Sequence, residues 1–272
     1  MKVAVLQMVS TPDVSENLAC AEQLVAQASA AGAELLVLPE YFCGMGRQDT
    51  DKLAWSEVRG QGLIQNALSR WAQTYAVWLV GGTVPIQTSD ARRVHNTCML
   101  FDPRGECIAS YDKIHLFRFA NDAESFDESM VIQAGTQPVM ADITDRAGRV
   151  WRLGLSVCYD LRFPELYRIY AAHGAHVLLL PSAFTHTTGQ AHWELLLRAR
   201  AVENQCWMLA AAQGGRHANG RQTWGHSMVV DPWGNVLADQ KTAGTGIGYA
   251  VLDAAFLQQV RQCLPALEHR CL

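Results

Sequence analysis

A chain of 272 residues, 49% hydrophobic and 18% charged, is long enough to bury a large core and too apolar to stay disordered. Its 22 Lys+Arg against 26 Asp+Glu leave a net charge of −4, which gives no electrostatic footing for nucleic acid or an anionic membrane. Apolar runs such as Cys206 to Ala212 fall far short of the roughly 18 residues a spanning helix needs, so no membrane partner is expected.

The chain opens on a short apolar strand, Val3 to Gln7, with too little hydrophobic length for a signal peptide; a cytoplasmic setting is expected. An Ala- and Leu-rich stretch from Ser15 to Ala31 predicts a helix, and Leu35 to Leu38 a buried strand ending at Pro39-Glu40. Gly62 to Tyr75 predicts a second helix leading into the strand Val77 to Val80. Met99-Leu100-Phe101-Asp102-Pro103-Arg104-Gly105 predicts a hairpin, because Pro presets the turn's φ and Gly accepts a positive one.

The second half echoes the first. Leu153 to Val157 is again a strand, Pro164 to His173 a helix, and Val177 to Leu180 a strand ending at Pro181-Ser182. Ala191 to Gln205 predicts a helix leading into Cys206 to Leu209, and Met228-Val229-Val230-Asp231-Pro232-Trp233-Gly234 repeats the hairpin. No Pro/Gly/Ser-rich linker or charge run divides the chain, so a single domain over residues 1–272 is expected. Two copies of strand–helix–strand–helix–strand–hairpin predict an α/β fold with mixed sheets: a four-layer α-β-β-α sandwich with an internal pseudo-two-fold repeat. The alternative is one doubly wound sheet whose halves agree by chance; the consecutive matches in the two hairpins favour the sandwich.

Three residues with reactive side chains stand where strands end. Glu40 closes Leu-Val-Leu-Pro-Glu, Lys113 follows the strand Cys107 to Tyr111, and Cys158 closes Gly-Leu-Ser-Val-Cys. A carboxylate, an ammonium and a thiol in one pocket would suffice for acyl transfer. Each also has an ordinary reading: a core thiol, an exposed loop carboxylate, and a surface lysine paired with Asp112. Spacing alone does not show that they converge. The eight cysteines contain no C-x-x-C pair and read mostly as buried, inert thiols.

Leu38-Pro39-Glu40, Tyr111-Asp112-Lys113-Ile114-His115-Leu116-Phe117 and Gly154-Leu155-Ser156-Val157-Cys158-Tyr159-Asp160-Leu161-Arg162-Phe163-Pro164-Glu165 together resemble, in order, the three signatures of the nitrilase superfamily of carbon–nitrogen hydrolases. The stretch Pro181 to Glu194, Gly214 to His217 and Trp224 to Pro232 are similar to the branch holding the deaminated-glutathione amidases and the ω-amidases. The resemblance implies the duplicated sandwich, a homodimer or larger homo-oligomer, no cofactor, and hydrolysis of a small 2-oxoglutarate-type amide through a cysteine thioester.

It also implies roles. Cys158 would be the nucleophile, Glu40 the general base and acid, and Lys113 the oxyanion partner, helped by the backbone N–H of Tyr159. A second glutamate is placed at Glu128 in Phe126-Asp127-Glu128-Ser129, with Glu124 as competitor. The substrate's carboxylate and keto group need donors. Arg162 would supply a bidentate grip, unless it pairs with Glu165. Thr185, His192 and Trp193, in the loop expected to open the next helix, are further lining candidates, although His192 would equally suit a helix cap and Trp193 suits the core better than the pocket.

Other signals point away from alternatives. Gly244-Thr245-Gly246-Ile247-Gly248 is not a dinucleotide loop, and His173-Gly174-Ala175-His176 lacks further ligands at metal spacing, so no metal is expected. Arg198, Arg200 and Glu203 suit an interhelix ion-pair network or a dimer contact. Narrower specificities, for 2-oxoglutaramate, N-carbamoyl amino acids or nitriles, remain open. A non-catalytic adaptor on the same scaffold would have no reason to bury Glu40 and Lys113.

Overall fold

The computed structural model describes residues 1–120, 125–241 and 243–271. The first half runs β1 (Lys2–Gln7), α1 (Val14–Ala30), β2 (Leu35–Val37), α2 (Asp51–Ala54), α3 (Leu63–Tyr75), β3 (Trp78–Val80), β4 (Val84–Gln87), β5 (Val94–Phe101) and β6 (Cys107–Asp112). A covering segment follows, holding β7 (Arg118–Ala120), β8 (Ser125–Asp127) and a 3-10 turn at Glu128–Met130. The second half begins with β9 (Val139–Thr144), β10 (Val150–Leu155), α4 (Pro164–Ala172), β11 (Val177–Ser182), α5 (His186–Asn204) and β12 (Trp207–Ala212). It ends with β13 (Gly214–Arg216), β14 (Gln222–Trp224), β15 (Met228–Val230), β16 (Val236–Asp239), β17 (Gly246–Val251) and α6 (Ala254–Cys263).

The repeat read from the sequence is the architecture. One sheet is ordered β17-β1-β2-β3-β5-β4, with β6 on β5; the other is ordered β16-β15-β12-β11-β10-β9. In the first, β1, β2 and β3 are parallel and flanked by antiparallel β17 and β5. In the second, β10, β11 and β12 are parallel between antiparallel β9 and β15. The hairpins β5–β6 and β15–β16 each carry a register shift, between Leu100 and Phe101 and between Val229 and Val230.

Alternation along the strands decides the layers. Val3, Val5, Leu35 and Val37 pack in one core with Leu153, Leu155 and Met208, between the sheets. Ala4, Leu6 and Leu36 turn the other way, onto Leu24 and Val25 of α1 and Leu68 and Trp71 of α3. These strands are apolar on both faces because both faces are covered. α4 and α5 cover the second sheet in the same manner, with Tyr167, Tyr170, Trp193 and Leu197 in its core.

Helix ends follow local chemistry. The Asp13 side chain accepts from the N–H groups of Ser15 and Glu16 to start α1. Thr185 caps α5 by accepting from Thr188 N–H, so this helix starts five residues before the expected Ala191. Gly189 lies inside its first turns because a Cβ there would meet Trp224 Cβ at 2.2 Å. Glycine here serves close packing and does not end the helix.

Candidate active site

Glu40, Lys113, Glu128 and Cys158 come together at the strand ends between the sheets. Lys113 is fully buried, and its Nζ donates to Glu40 Oε1 at 3.0 Å and to Glu128 Oε1 and Oε2 at 2.9 and 2.8 Å. Its alternative as a surface partner of Asp112 does not occur; Asp112 pairs with Arg59. Glu40, 1% exposed, also accepts from Asn96 Nδ2 at 2.8 Å on the same Oε1. Glu128 accepts from the Tyr41 hydroxyl at 2.9 Å and from Phe117 N–H at 2.8 Å. Its competitor Glu124 lies outside the described residues.

Charge balance sets the protonation states. Burial alone would drive Lys113 toward its neutral amine, but Glu128 and Glu40 outweigh it and hold the ammonium above its ordinary range. Burial likewise opposes ionisation of Glu128, and Lys113 overrides it to bring this carboxyl below the usual range. Cys158 is pushed well up, first by burial and then by the negative charge of Glu40, with Lys113 pulling the other way. The resting sulfur is therefore a thiol, and it needs a base at the moment of attack.

The backbone aims these groups. Cys158 has φ 50° and Tyr41 φ 56°, left-handed conformations that cost of order 1–3 kcal/mol each and are held by their surroundings. Asp160, fully buried, supplies part of that hold. It accepts from Val157 N–H at 2.8 Å and the Tyr111 hydroxyl at 2.7 Å, and from His115 N–H at 3.1 Å. The His115 ring lies 2.7 Å from the same carboxylate and stacks on Phe163 with centroids 3.8 Å apart. One carboxylate thus joins the segment bearing Lys113 to the turn bearing Cys158. On the other side, Gln213 Nε2 donates to Glu40 O at 3.1 Å and to Ser10 Oγ at 2.7 Å, tying the second sheet to the first.

A narrow cleft opens over Cys158, with Glu40, Glu128, Tyr159, Arg162, Phe184 and Thr185 among its walls. Arg162 does not pair with Glu165. Its guanidinium lies over the rings of Tyr159 and Phe184, and Nη1 is 3.2 Å from His192 Nδ1. Thr185 is both cap and wall.

His192 and Trp193 lie well inside α5 rather than in a loop, and neither caps it; Trp193 takes the core position, the stronger of its two readings. Trp193 faces the core, 1% exposed, with its indole N–H on His226 O at 2.8 Å; His192 reaches the cleft only through Arg162. Of the expected interhelix network, Glu203 pairs with Arg168 of α4, while the pairs Arg198–Glu194 and Arg200–Glu203 lie within α5.

Sequence reasoning passed over Asn96, Tyr41 and Arg221. Asn96 carried one signal, an amide within the apolar strand Val94 to Phe101, where a buried polar group must have a partner. Tyr41 adjoins Glu40 but belongs to no repeated element, and Arg221 lies between β13 and β14, outside the echo. Among the described residues no group of His, Cys, Asp or Glu has metal-site geometry, and no helix is long and apolar enough to cross a membrane.

The Carbon-nitrogen hydrolase family model matches residues 2–262. A protein of Synechocystis sp. named deaminated glutathione amidase is 42% identical over 98% of this chain and 97% of its own length. The crystal structure of Saccharomyces cerevisiae Nit3, described as a member of branch 10 of the nitrilase superfamily, superposes with TM-score 0.87 and 32% identity, covering 100% of this chain and 97% of that one. An amidase from Nesterenkonia sp. AN1, solved with acrylamide added at its active-site cysteine, superposes with TM-score 0.79 and 31% identity over 97% of this chain and 98% of that one.

Proposed function

Because the chain belongs to the carbon–nitrogen hydrolase family and is an amidase, we propose that it cleaves a small 2-oxoglutarate-type amide, deaminated glutathione foremost, into 2-oxoglutarate and cysteinylglycine. The observation that carries this reading is the Glu40–Lys113–Glu128 cluster, whose two carboxylates line one cleft with Cys158.

As Cys158 Sγ attacks the amide carbonyl, its proton passes to Glu40. Among the described residues both side-chain bonds of Glu40 fall on Oε1, which leaves Oε2 for this exchange. The C–S bond forms while the carbonyl oxygen takes up negative charge. Lys113, with the Tyr159 N–H, receives that charge; one such donor is worth roughly 3–4 kcal/mol. Glu40 then protonates the departing nitrogen as the C–N bond breaks. Water, deprotonated by Glu40, attacks the thioester, and the acid leaves with the thiol restored. Glu128 holds Lys113 in place and faces the substrate amide. Arg162, Thr185 and Tyr159 bind the acyl chain, with Arg162 gripping its carboxylate and His192 steadying that guanidinium.

A homodimer or larger homo-oligomer suits the exposed Ile169, Leu195, Val202 and Trp233 on and beside α4 and α5, and light scattering would read its mass. Eight free thiols suit a reducing cytoplasm.

The test ranks kcat/KM for deaminated glutathione, 2-oxoglutaramate, N-carbamoyl amino acids and nitriles. Deaminated glutathione should come first, and last place would overturn the substrate assignment. Cys158→Ala should lower turnover by on the order of 10⁴-fold or more with an unchanged melting curve. Mass spectrometry of the quenched wild-type enzyme should find the acyl group on the Cys158 peptide; an adduct elsewhere, or full activity of the variant, would refute the mechanism.

A further inference from the structure

The cleft holds a second guanidinium, Arg221, with no anion paired to it among the described residues. Arg221 closes the turn between β13 and β14, where its O accepts from His217 N–H and its N–H donates to Asn219 Oδ1, both at 2.9 Å. Its side chain reaches across to the cleft wall. Nη2 donates to Ala183 O at 3.1 Å, and the guanidinium lies 4.9 Å from the centre of the Phe126 ring. Nε is buried with no acceptor among the described residues. An arginine has five N–H donors, and a buried unpaired donor costs about 1–3 kcal/mol. Among the described residues one side-chain donor is engaged, by a neutral carbonyl. Glu40 and Glu128 line the same cleft, but their recorded ion pairs are with Lys113, and among the described residues no carboxylate lies at ion-pair distance from Arg221.

The position is built. Trp224 N–H donates to Phe184 O at 2.9 Å, Thr185 and Thr223 form a bridge, and Gly189 admits Trp224 against α5 with no room for a Cβ. The hairpin bearing Arg221 is therefore clamped to the segment 183–189. The N–H of Ala183 is directed at Cys158 sulfur, while its carbonyl takes the Arg221 bond.

We propose that Arg221 binds a carboxylate carried by the leaving amine. The substrate is then a dianion, held at its acyl end by Arg162 and at its amine end by Arg221, with the scissile bond over Cys158 between them. Arg162 lies on the turn of the nucleophile itself, beside Tyr159 and Phe184, where the acyl chain is attached during the thioester stage. Arg221 enters from the separate hairpin and rests on Phe126, two residues before Glu128, and its charge is felt at Tyr41 and Lys52. That is the side of the glutamates that manage the proton of the departing nitrogen. The chemical class is an amide between a 2-oxo diacid and an amino acid or short peptide with a free C-terminal carboxylate. This assignment rests on the function proposed above and narrows it.

The experiment compares three substrates on the full-length enzyme: the 2-oxoglutaryl amide of cysteinylglycine, the same compound ending in a carboxamide, and 2-oxoglutaramate, which releases only ammonia. Wild type should prefer the carboxylate-ended compound over its carboxamide by on the order of 10–100-fold in kcat/KM, mostly through KM. Arg221→Gln should collapse that preference to near unity, and Arg221→Lys should restore part of it. Arg162→Gln should lower all three together. Melting curves separate these effects from misfolding. A wild-type enzyme indifferent to the carboxylate, or an Arg221→Gln variant that loses all three substrates in equal proportion, would overturn the assignment. Failure of wild type on all three would instead sink the proposed substrate class, and the role of Arg221 with it.

Discussion

The two hairpins of the repeat start alike and end differently. β5–β6 and β15–β16 share the Asp-Pro-x-Gly turn, a register shift at the same place, and an aspartate near the end of the second strand. Asp112 accepts from Thr97 Oγ1 at 2.6 Å, and Asp239 lies 2.8 Å from His226 Nδ1. A lysine follows each. Lys113 is fully buried between two carboxylates, whereas Lys241, 75% exposed in its side chain, pairs with Asp239 in water. The strands do not make the difference. After β6 a covering segment that holds β7, β8 and the turn at Glu128–Met130 brings Glu128 down onto the ammonium, while β17 begins at Gly246, soon after β16 ends at Asp239. A hairpin can present a lysine; only a cover that excludes water and supplies a counter-charge makes it a reagent.

That contrast is broken most severely by the same substitution in both hairpins. Lys113→Met leaves Glu40 and Glu128 buried without their cation and should abolish activity and cost about 3–5 kcal/mol of stability in chemical denaturation. Lys241→Met should stay within about 0.5 kcal/mol and keep activity. Equal losses would mean the burial of Lys113 has no energetic consequence.

Next in size is the cover itself. Glu128→Gln keeps the shape but removes a charge from Lys113, and should lower kcat by roughly 10²–10³-fold with a smaller change in KM. A change in KM alone would make Glu128 a binding residue only.

The smallest effect is on pH. The Glu128 carboxyl is held below its ordinary value of 4.5, so the unfolded chain takes up its proton first. The stability it contributes is full above that value and declines as pH falls through the lower, folded value. Acid titration of the melting temperature should therefore show a shallower fall below about pH 4.5 in Glu128→Gln than in wild type. Parallel curves would contradict the sign of the shift.

The repeat was legible because it is written in apolar runs and turn residues, which local chemistry dictates. The start of α5 was not. Thr187, Thr188 and Gly189 read as a loop, and only the approach of Trp224 explains the glycine. Glu40, Lys113, Glu128 and Cys158 were legible as reactive types at strand ends, and from the family resemblance as a set. Their meeting was not, since it depends on side chains such as Asp160 and Gln213 that tie distant segments. Arg221 escaped notice because an arginine in a polar turn looks like any surface cation until Phe126 and Ala183 are seen against it.

The link from Gln213 to Glu40 O and Ser10 spans the seam between the two sheets. Glu40, Lys113 and Glu128 belong to one side of that seam, and Cys158, Ala183 and Arg221 to the other. Neither half is therefore a smaller enzyme. Chains cut between Glu128 and Val139 should be inert when made apart and regain turnover only on reassociation, which makes activity a direct report that the halves have found each other.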